Sequence, residues 1–161
     1  MQVVHGHSHV PASARYAVVA IGNFDGVHLG HRALLNVAID KARQLGKPSG
    51  VMIFDPHPRE FFQPSDEHFR LTPLPRKLAI FEKIGLDVVF VEPFNRAFAS
   101  LTANDFIERV LVAGLGVSHV IIGYDFYFGF KRSGNPEAMV HAGEELGFGV
   151  TVVPPVAEAG E

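Results

Sequence analysis

The chain has 161 residues, 47% of them hydrophobic and 19% charged, which is the length and make-up of one globular domain. It has no cysteine, which excludes disulfides, thiolate catalysis and zinc–thiolate sites, and its formal net charge of −3 excludes a general attraction to nucleic acid or anionic lipid. No apolar run nears the roughly 20 residues of a spanning helix, and the opening MQVVHGHSHV lacks the regions of a signal peptide. A cytoplasmic protein without a membrane partner is therefore expected.

In chain order, residues 1–14 read as a flexible polar tail. Its alternating His5, His7 and His9 are better explained by disorder than by a weak metal site. Residues 17–21 form a wholly apolar run ended by Gly22, the pattern of a buried strand. From about Gly30 to Leu45, apolar residues recur at helical spacing and Gly46 stops them. A second buried strand, 50–54, runs into the proline-broken Asp55-Pro56-His57-Pro58, and residues 56–73 are a long connection of the kind that carries function or is disordered. A short helix over 76–84, stopped by Gly85, is followed by a strand over 87–91. Thr102 with Asp105 predicts a capped helix running to Ala113. Residues 119–122 form the fourth strand. Asn135-Pro136 then opens a helix closed by Gly147, and 148–153 is the fifth strand. Residues 15–155 thus predict an α/β domain, a Rossmann-like five-stranded parallel sheet with helices on both faces, with residues 156–161 as a tail.

In such a sheet a ligand sits beyond the carboxyl ends of the strands. The connections at that edge, GNFDGVHLGH, DPHPREFF, EPFNRAFAS and GYDFYFGFKRSG, are mostly dense in His, Asp, Arg and Gly, whereas those at the other edge (GKPSG, GLD, GLGVSH) are plain. In the first of them Gly22 and Gly26 permit tight turns, and the helix that follows offers free N–H groups and its dipole to an anion. His28 and His31 share one face of its first turn, with Gly30 leaving room between them, an arrangement that suits a phosphate. A metal site would want a third ligand and usually i,i+4 spacing, and histidines can also merely decorate a helix start. The buried strand and Gly-Asn-Phe-Asp-Gly turn before them favour the phosphate reading.

GNFDGVHLGHRALL resembles the first signature of the nucleotidylyltransferase superfamily, and its GNFDG narrows the likeness to the FMN adenylyltransferase (FAD synthetase) module of prokaryotic bifunctional riboflavin kinase/FAD synthetases. FDPHPREFF at 54–62, RLTPLPRKLAIFEKIGLD at 70–87 and IIGYDFYFGFKRSGN at 121–135 match that family in the same order, so the resemblance spans about residues 15–155.

It implies a nucleotidylyltransferase-type fold and the reaction ATP + FMN → FAD + pyrophosphate, with Mg²⁺ accompanying ATP. His28 and His31 would be the catalytic pair. Gly22, Asn23, Phe24, Asp25, Gly26 and Gly30 would shape the ATP site, and His57, Asp55, Asp125, Phe126 and Arg132 would serve FMN or its phosphate. Asp25 is equally a turn-forming residue, Asp55 and His57 equally turn formers, and Arg132 equally a solvated loop residue. Of Phe126, Tyr127, Phe128 and Phe130, a ring wall for isoalloxazine or adenine, at least half suits core packing instead. His68, His119 and His141 join no constellation and are expected on the surface or on helices.

The family continues into an I-S-S-T-x-I-R stretch and a riboflavin-phosphorylating β-barrel, neither of which lies in these 161 residues. An adenylyltransferase module without kinase activity, impaired by loss of that phosphate-site stretch, is the first expectation. The alternatives are a non-catalytic nucleotide- or flavin-binding remnant, a fragment completed by a separate chain, and a nucleotidylyltransferase for another phosphorylated substrate.

Overall fold

A computed structural model describes residues 1–24, 29–56, 58, 61 and 72–155, with the side chains of residues 29 and 30 excepted. Six parallel strands form one sheet: β1 (Gln2–His5), β2 (Val18–Ile21), β3 (Ser49–Asp55), β4 (Val88–Pro93), β5 (His119–Gly123) and β6 (Gly149–Val153). Their order is β1-β4-β3-β2-β5-β6. The helices are α1 (Leu29–Leu45), α2 (Leu74–Ile84), a single-turn α3 (Arg96–Ala99), α4 and α5 (Pro136–Leu146). Helix α4 opens at Ala103–Asp105 and continues as a wider π-type coil over Phe106–Leu115.

Strand alternation sorts the core into two layers. Val19, Ile21, Met52, Phe54, Phe90, Val120 and Ile122 meet Phe106, Ile107, Val110 and Leu111 of α4 and Met139 of α5. The intervening Val18, Ala20, Val51, Ile53, Val89 and Ile121 meet Leu34, Leu35, Ala38 and Ala42 of α1 and Phe81 of α2. Both faces are covered, as the unbroken apolar strand sequences require.

Local signals hold where they were read. Thr102 accepts from the Asp105 N–H at 3.0 Å and Asn135 from the Ala138 N–H at 2.8 Å. Gly46, Gly85, Gly116 and Gly147 all end helices with positive φ. The helix expected to end at Ala113 runs on to Leu115, where Gly116 stops it.

Two expectations are corrected. The sheet has six strands rather than five, because the segment taken as a tail supplies β1: Gln2, Val3, Val4 and His5 pair with Val88, Val89, Phe90 and Val91. The chain then returns across the α4 face, with Val10, Ala14 and Ala17 packed into the core. Four residues on a sheet edge, two of them apolar, carry too little periodicity to be read, and the pairing that selects them lies more than 80 residues away. The tail expected at 156–161 lies outside the described residues.

Candidate active site

Leaving out β1, the strands run β4-β3-β2-β5-β6, the 3-2-1-4-5 order of a doubly wound sheet, and the crossover direction reverses between β2 and β5. The connections leaving those two strands therefore flank a crevice.

On the β2 side, the Gly22 N–H donates to the Met52 carbonyl at 3.2 Å, extending the pairing by one residue. Phe24 then turns inward with φ 59°, a left-handed conformation that a bulky residue adopts only when its surroundings enforce it. Its ring, 2% exposed, lies 3.1 Å from where a Cβ on Gly22 would stand, so a side chain there would press on the ring by a few tenths of an ångström. Edge-on contacts join Phe24 to His31 (5.2 Å between centroids) and to Phe81 (5.7 Å). Phe24 is thus a peg that pins the start of α1 against α2, and the sequence reading that put it in a nucleotide pocket understates this packing role. His31 and Gly30 lie in the first turn of α1, where backbone N–H groups have no intrahelical acceptor. The Oδ1 of Asn23 is buried without a hydrogen-bond partner. Asp25, Gly26 and His28 lie outside the described residues, as does His57.

On the β5 side, the chain turns at Tyr124-Asp125, with the Phe126 N–H donating to Gly123 at 3.2 Å. The Asp125 carboxylate folds over Gly123, 3.1 Å from the position its Cβ would take; Leu34 of α1 lies 3.6 Å from the same point. Leu34 is one turn beyond His31, so Asp125 approaches the helix face that carries His31. Phe24 and His31 are thus in contact on the β2 side of the switch point, and Asp125 on the β5 side approaches the same helix, α1, near Leu34. Asp55, exposed at the end of β3, stands on the other side of β2 from Asp125.

The aromatic loop after β5 divides as its chemistry demands. Phe126 stacks on Phe128 at 5.5 Å, and Phe128, bridged by backbone to Gly134, belongs to the core. Phe128 links Phe126 to a run of ring contacts through Phe106, Phe98, Phe94 and Phe61. Tyr127 and Phe130 are exposed and covered by cations: Arg132 lies 5.1 Å from the Tyr127 ring and Lys131 5.4 Å from the Phe130 ring. Arg132 is a surface residue with φ 56°, stacked on Tyr127.

Sequence reasoning missed three buried titratable groups: Lys77, His119 and Glu92. His119, expected on the surface or on a helix, instead opens β5 in the interior, 2.7 Å from Thr151 Oγ1. Burial, and secondarily the charge of Lys41, hold its imidazole below the usual range. Glu92, 2% exposed, lies 2.5 Å from the Nδ1 of His7, a residue of the supposed tail, and burial pushes its carboxyl above the ordinary carboxylate range despite the imidazole. A lone Glu in VVFVEP was the available signal. No described helix is long and apolar enough to cross a membrane, and no three His, Cys, Asp or Glu cluster among the described residues.

The sheet order and the covered faces define a Rossmann-like, doubly wound α/β fold. A crystal structure described as a macrolide-efflux protein from Streptococcus pneumoniae superposes with a TM-score of 0.83 over 99% of this chain and 52% of that one; at 24% identity the likeness is one of fold alone. Residues 10–161 match the FAD synthetase family model, and the chain belongs to that family. It is 45% identical over 150 residues to the bifunctional riboflavin kinase/FMN adenylyltransferase of Pseudomonas fluorescens, covering 93% of this chain and 48% of the relative. It is 40% identical over 161 residues to the protein of the same description from Escherichia coli K12, covering 99% and 51%. The chain thus spans about half the length of these relatives.

Proposed function

We propose that this chain transfers AMP from ATP to FMN, giving FAD and pyrophosphate. One observation supports the reading: in a chain that matches FAD synthetase over residues 10–161, helix α1 follows β2 at the switch point and carries His31 in its first turn. An oxygen of the FMN phosphate bonds to the α-phosphorus of ATP as the bond to the β-phosphate oxygen breaks, and pyrophosphate leaves. The protein's contribution is then positioning and charge stabilisation. The first-turn N–H groups of α1 and the imidazole of His31, joined by His28, donate to the phosphate oxygens on which charge grows.

Asn23 needs a different partner. Its buried Oδ1 accepts but cannot donate, so it suits an amino or hydroxyl hydrogen of the nucleotide rather than a phosphate oxygen. Mg²⁺ would enter with ATP and neutralise phosphate charge. Asp125, at the crevice, is the described carboxylate best placed to share it, and Asp55 stands one strand away. Gly22, Asp25, Gly26 and Gly30 belong to the turn and helix start that receive the nucleotide, whereas Phe126, Arg132 and His57 belong to the flavin side. ATP and FMN as substrates go with a cytoplasmic location.

The test incubates the chain with ATP, Mg²⁺ and FMN and quantifies FAD and pyrophosphate. FAD is expected from the wild-type chain, and His31→Ala should lower its rate on the order of 10²–10³-fold, the usual cost of one donor to developing charge. ATP binding without any FAD would overturn the reading, and an unchanged rate in His31→Ala would remove the role given to that imidazole.

A further inference from the structure

Phe24 holds a conformation that its own chemistry opposes. Its φ of 59° is left-handed, a region where a bulky side chain is an outlier and where Gly or Asn would turn the chain with far less strain. Such outliers persist only where the surroundings over-determine them, and they gather at functional sites. The ring that this backbone delivers is 2% exposed and lies so close to Gly22 that a Cβ there would press on it.

The ring meets two others, from two helices. His31 of α1 lies 5.2 Å away with 66° between the planes, and the fully buried Phe81 of α2 lies 5.7 Å away at 87°. Both are edge-type contacts, the arrangement that ring quadrupoles favour and that sets the mutual tilt of two rings. The two neighbours differ in how firmly they are held. Phe81 belongs to the core layer that also contains Leu35 and Ala38 of α1 and Val89 of β4, and such close-packed interiors transmit strain rather than yield to it. His31 stands in the first turn of a helix, only partly buried, and the χ2 of a histidine is a broad torsion. The helix alone therefore does not select one tilt of the imidazole.

We propose that Phe24 is the positioning residue of His31: backed by Phe81, its ring sets the tilt of the imidazole, so that the donor meets the phosphate oxygens in one direction. The proposal rests on the phosphate role given to His31 above. In this role Phe24 acts through the imidazole and touches no substrate. Donors to developing charge are effective because they are oriented before the reaction begins, and a displacement of about 1 Å can cost on the order of 10²-fold in rate.

The test is a double-substitution cycle read on FAD formation from ATP, Mg²⁺ and FMN. Phe24→Leu keeps apolar bulk and removes the planar ring. It is expected to lower kcat about 10- to 100-fold, the span of a misdirected donor, while the KM for FMN holds. In the His31→Ala background no imidazole is left to orient, so the same substitution should change kcat by less than about twofold. Phe81→Leu, which removes the backing ring, should repeat the pattern with a smaller loss. Equal losses in both backgrounds would show that Phe24 serves the fold or the nucleotide directly and would overturn the proposal, as would an unchanged kcat in Phe24→Leu. If Phe24→Leu does not fold, Phe24→Met is read in its place. The FMN reading fails separately. A wild-type chain that binds Mg²⁺–ATP but forms no FAD refutes the FMN reaction, and the cycle is then read on ATP affinity, where the same dependence on His31 is expected and its absence refutes the positioning role. A chain that binds no ATP overturns both.

Discussion

Gly149 opens β6 against an imidazole: a Cβ there would fall within bonding-scale distance of the His119 ring, with Nδ1 and Cε1 its nearest atoms. The ring is rigid and is held at its far side by Thr151 Oγ1, so it has little room to yield. Gly149→Ala should therefore displace His119 and break that bond, costing about 1–3 kcal/mol in urea unfolding, the usual cost of forcing a methyl into packed structure. The histidine reports the same event independently. Its native pKa lies below the ordinary 6.5 because it is buried and faces the charge of Lys41. Between the native value and 6.5 the unfolded chain binds the proton more readily, so this group favours folding fully above 6.5 and progressively less as pH falls. In the alanine variant the displaced ring should titrate closer to 6.5 by NMR. An unchanged urea midpoint together with an unchanged titration would show that the strand absorbs the methyl elsewhere.

Helix α5 shows why some elements were legible. Its start and stop are written within a few residues: Asn135 accepts from the Ala138 N–H, Pro136 needs no donor in the first turn, and Gly147 takes φ 87°. Asn135→Ala removes the acceptor for one N–H and should cost about 1 kcal/mol, whereas Asn135→Ser should be close to neutral. For a chain of this size the alanine loss corresponds to roughly 2–4 °C in Tm, measurable by calorimetry, and an equal fall in both variants would show that the amide is held by more than the cap. The start of α1 that carries His31 was legible for a similar reason, since the strand before it and its first helical turn lie close together in the sequence. Less accessible was anything chosen by distant partners. The π-type coil of α4 is not written in the spacing of Phe106–Leu115, which reads equally as an α-helix. The packing role of Phe24 was not legible, because neither Phe81 nor its left-handed backbone shows in GNFDG. Lys77 lay in plain view inside a matched stretch, and only its burial distinguishes it from the solvent-facing Lys83.

At the scale of the whole molecule, the least legible feature is the closing of the sheet by β1, and its chemistry is tied to Glu92. The carboxylate lies on the edge-proximal strand β4 and is met by His7 just beyond β1, while its Oε2 has no hydrogen-bond partner. Burial raises its pKa above the ordinary 4.5. The native state then keeps a proton that the unfolded chain has already released, so stability falls as pH rises from 4.5 to the native value and is level beyond it. Glu92→Gln keeps the shape, carries no titrating group, and should be spared that decline, gaining on the wild type as pH rises from 4.5. His7→Ala strips the carboxylate of its donor and should cost about 1–3 kcal/mol where Glu92 is ionised. That cost should shrink toward pH 4.5, where a neutral carboxyl no longer needs the imidazole. Combining the two substitutions should therefore cost less than their separate effects predict, because the alanine's main penalty is the charge it leaves behind. Urea midpoints of the four proteins at pH 5 and pH 8 check this directly: a His7→Ala cost that is equal at both values, and additive with Glu92→Gln, would show that β1 is held by its backbone pairing and Val4 alone, with no part played by the buried charge.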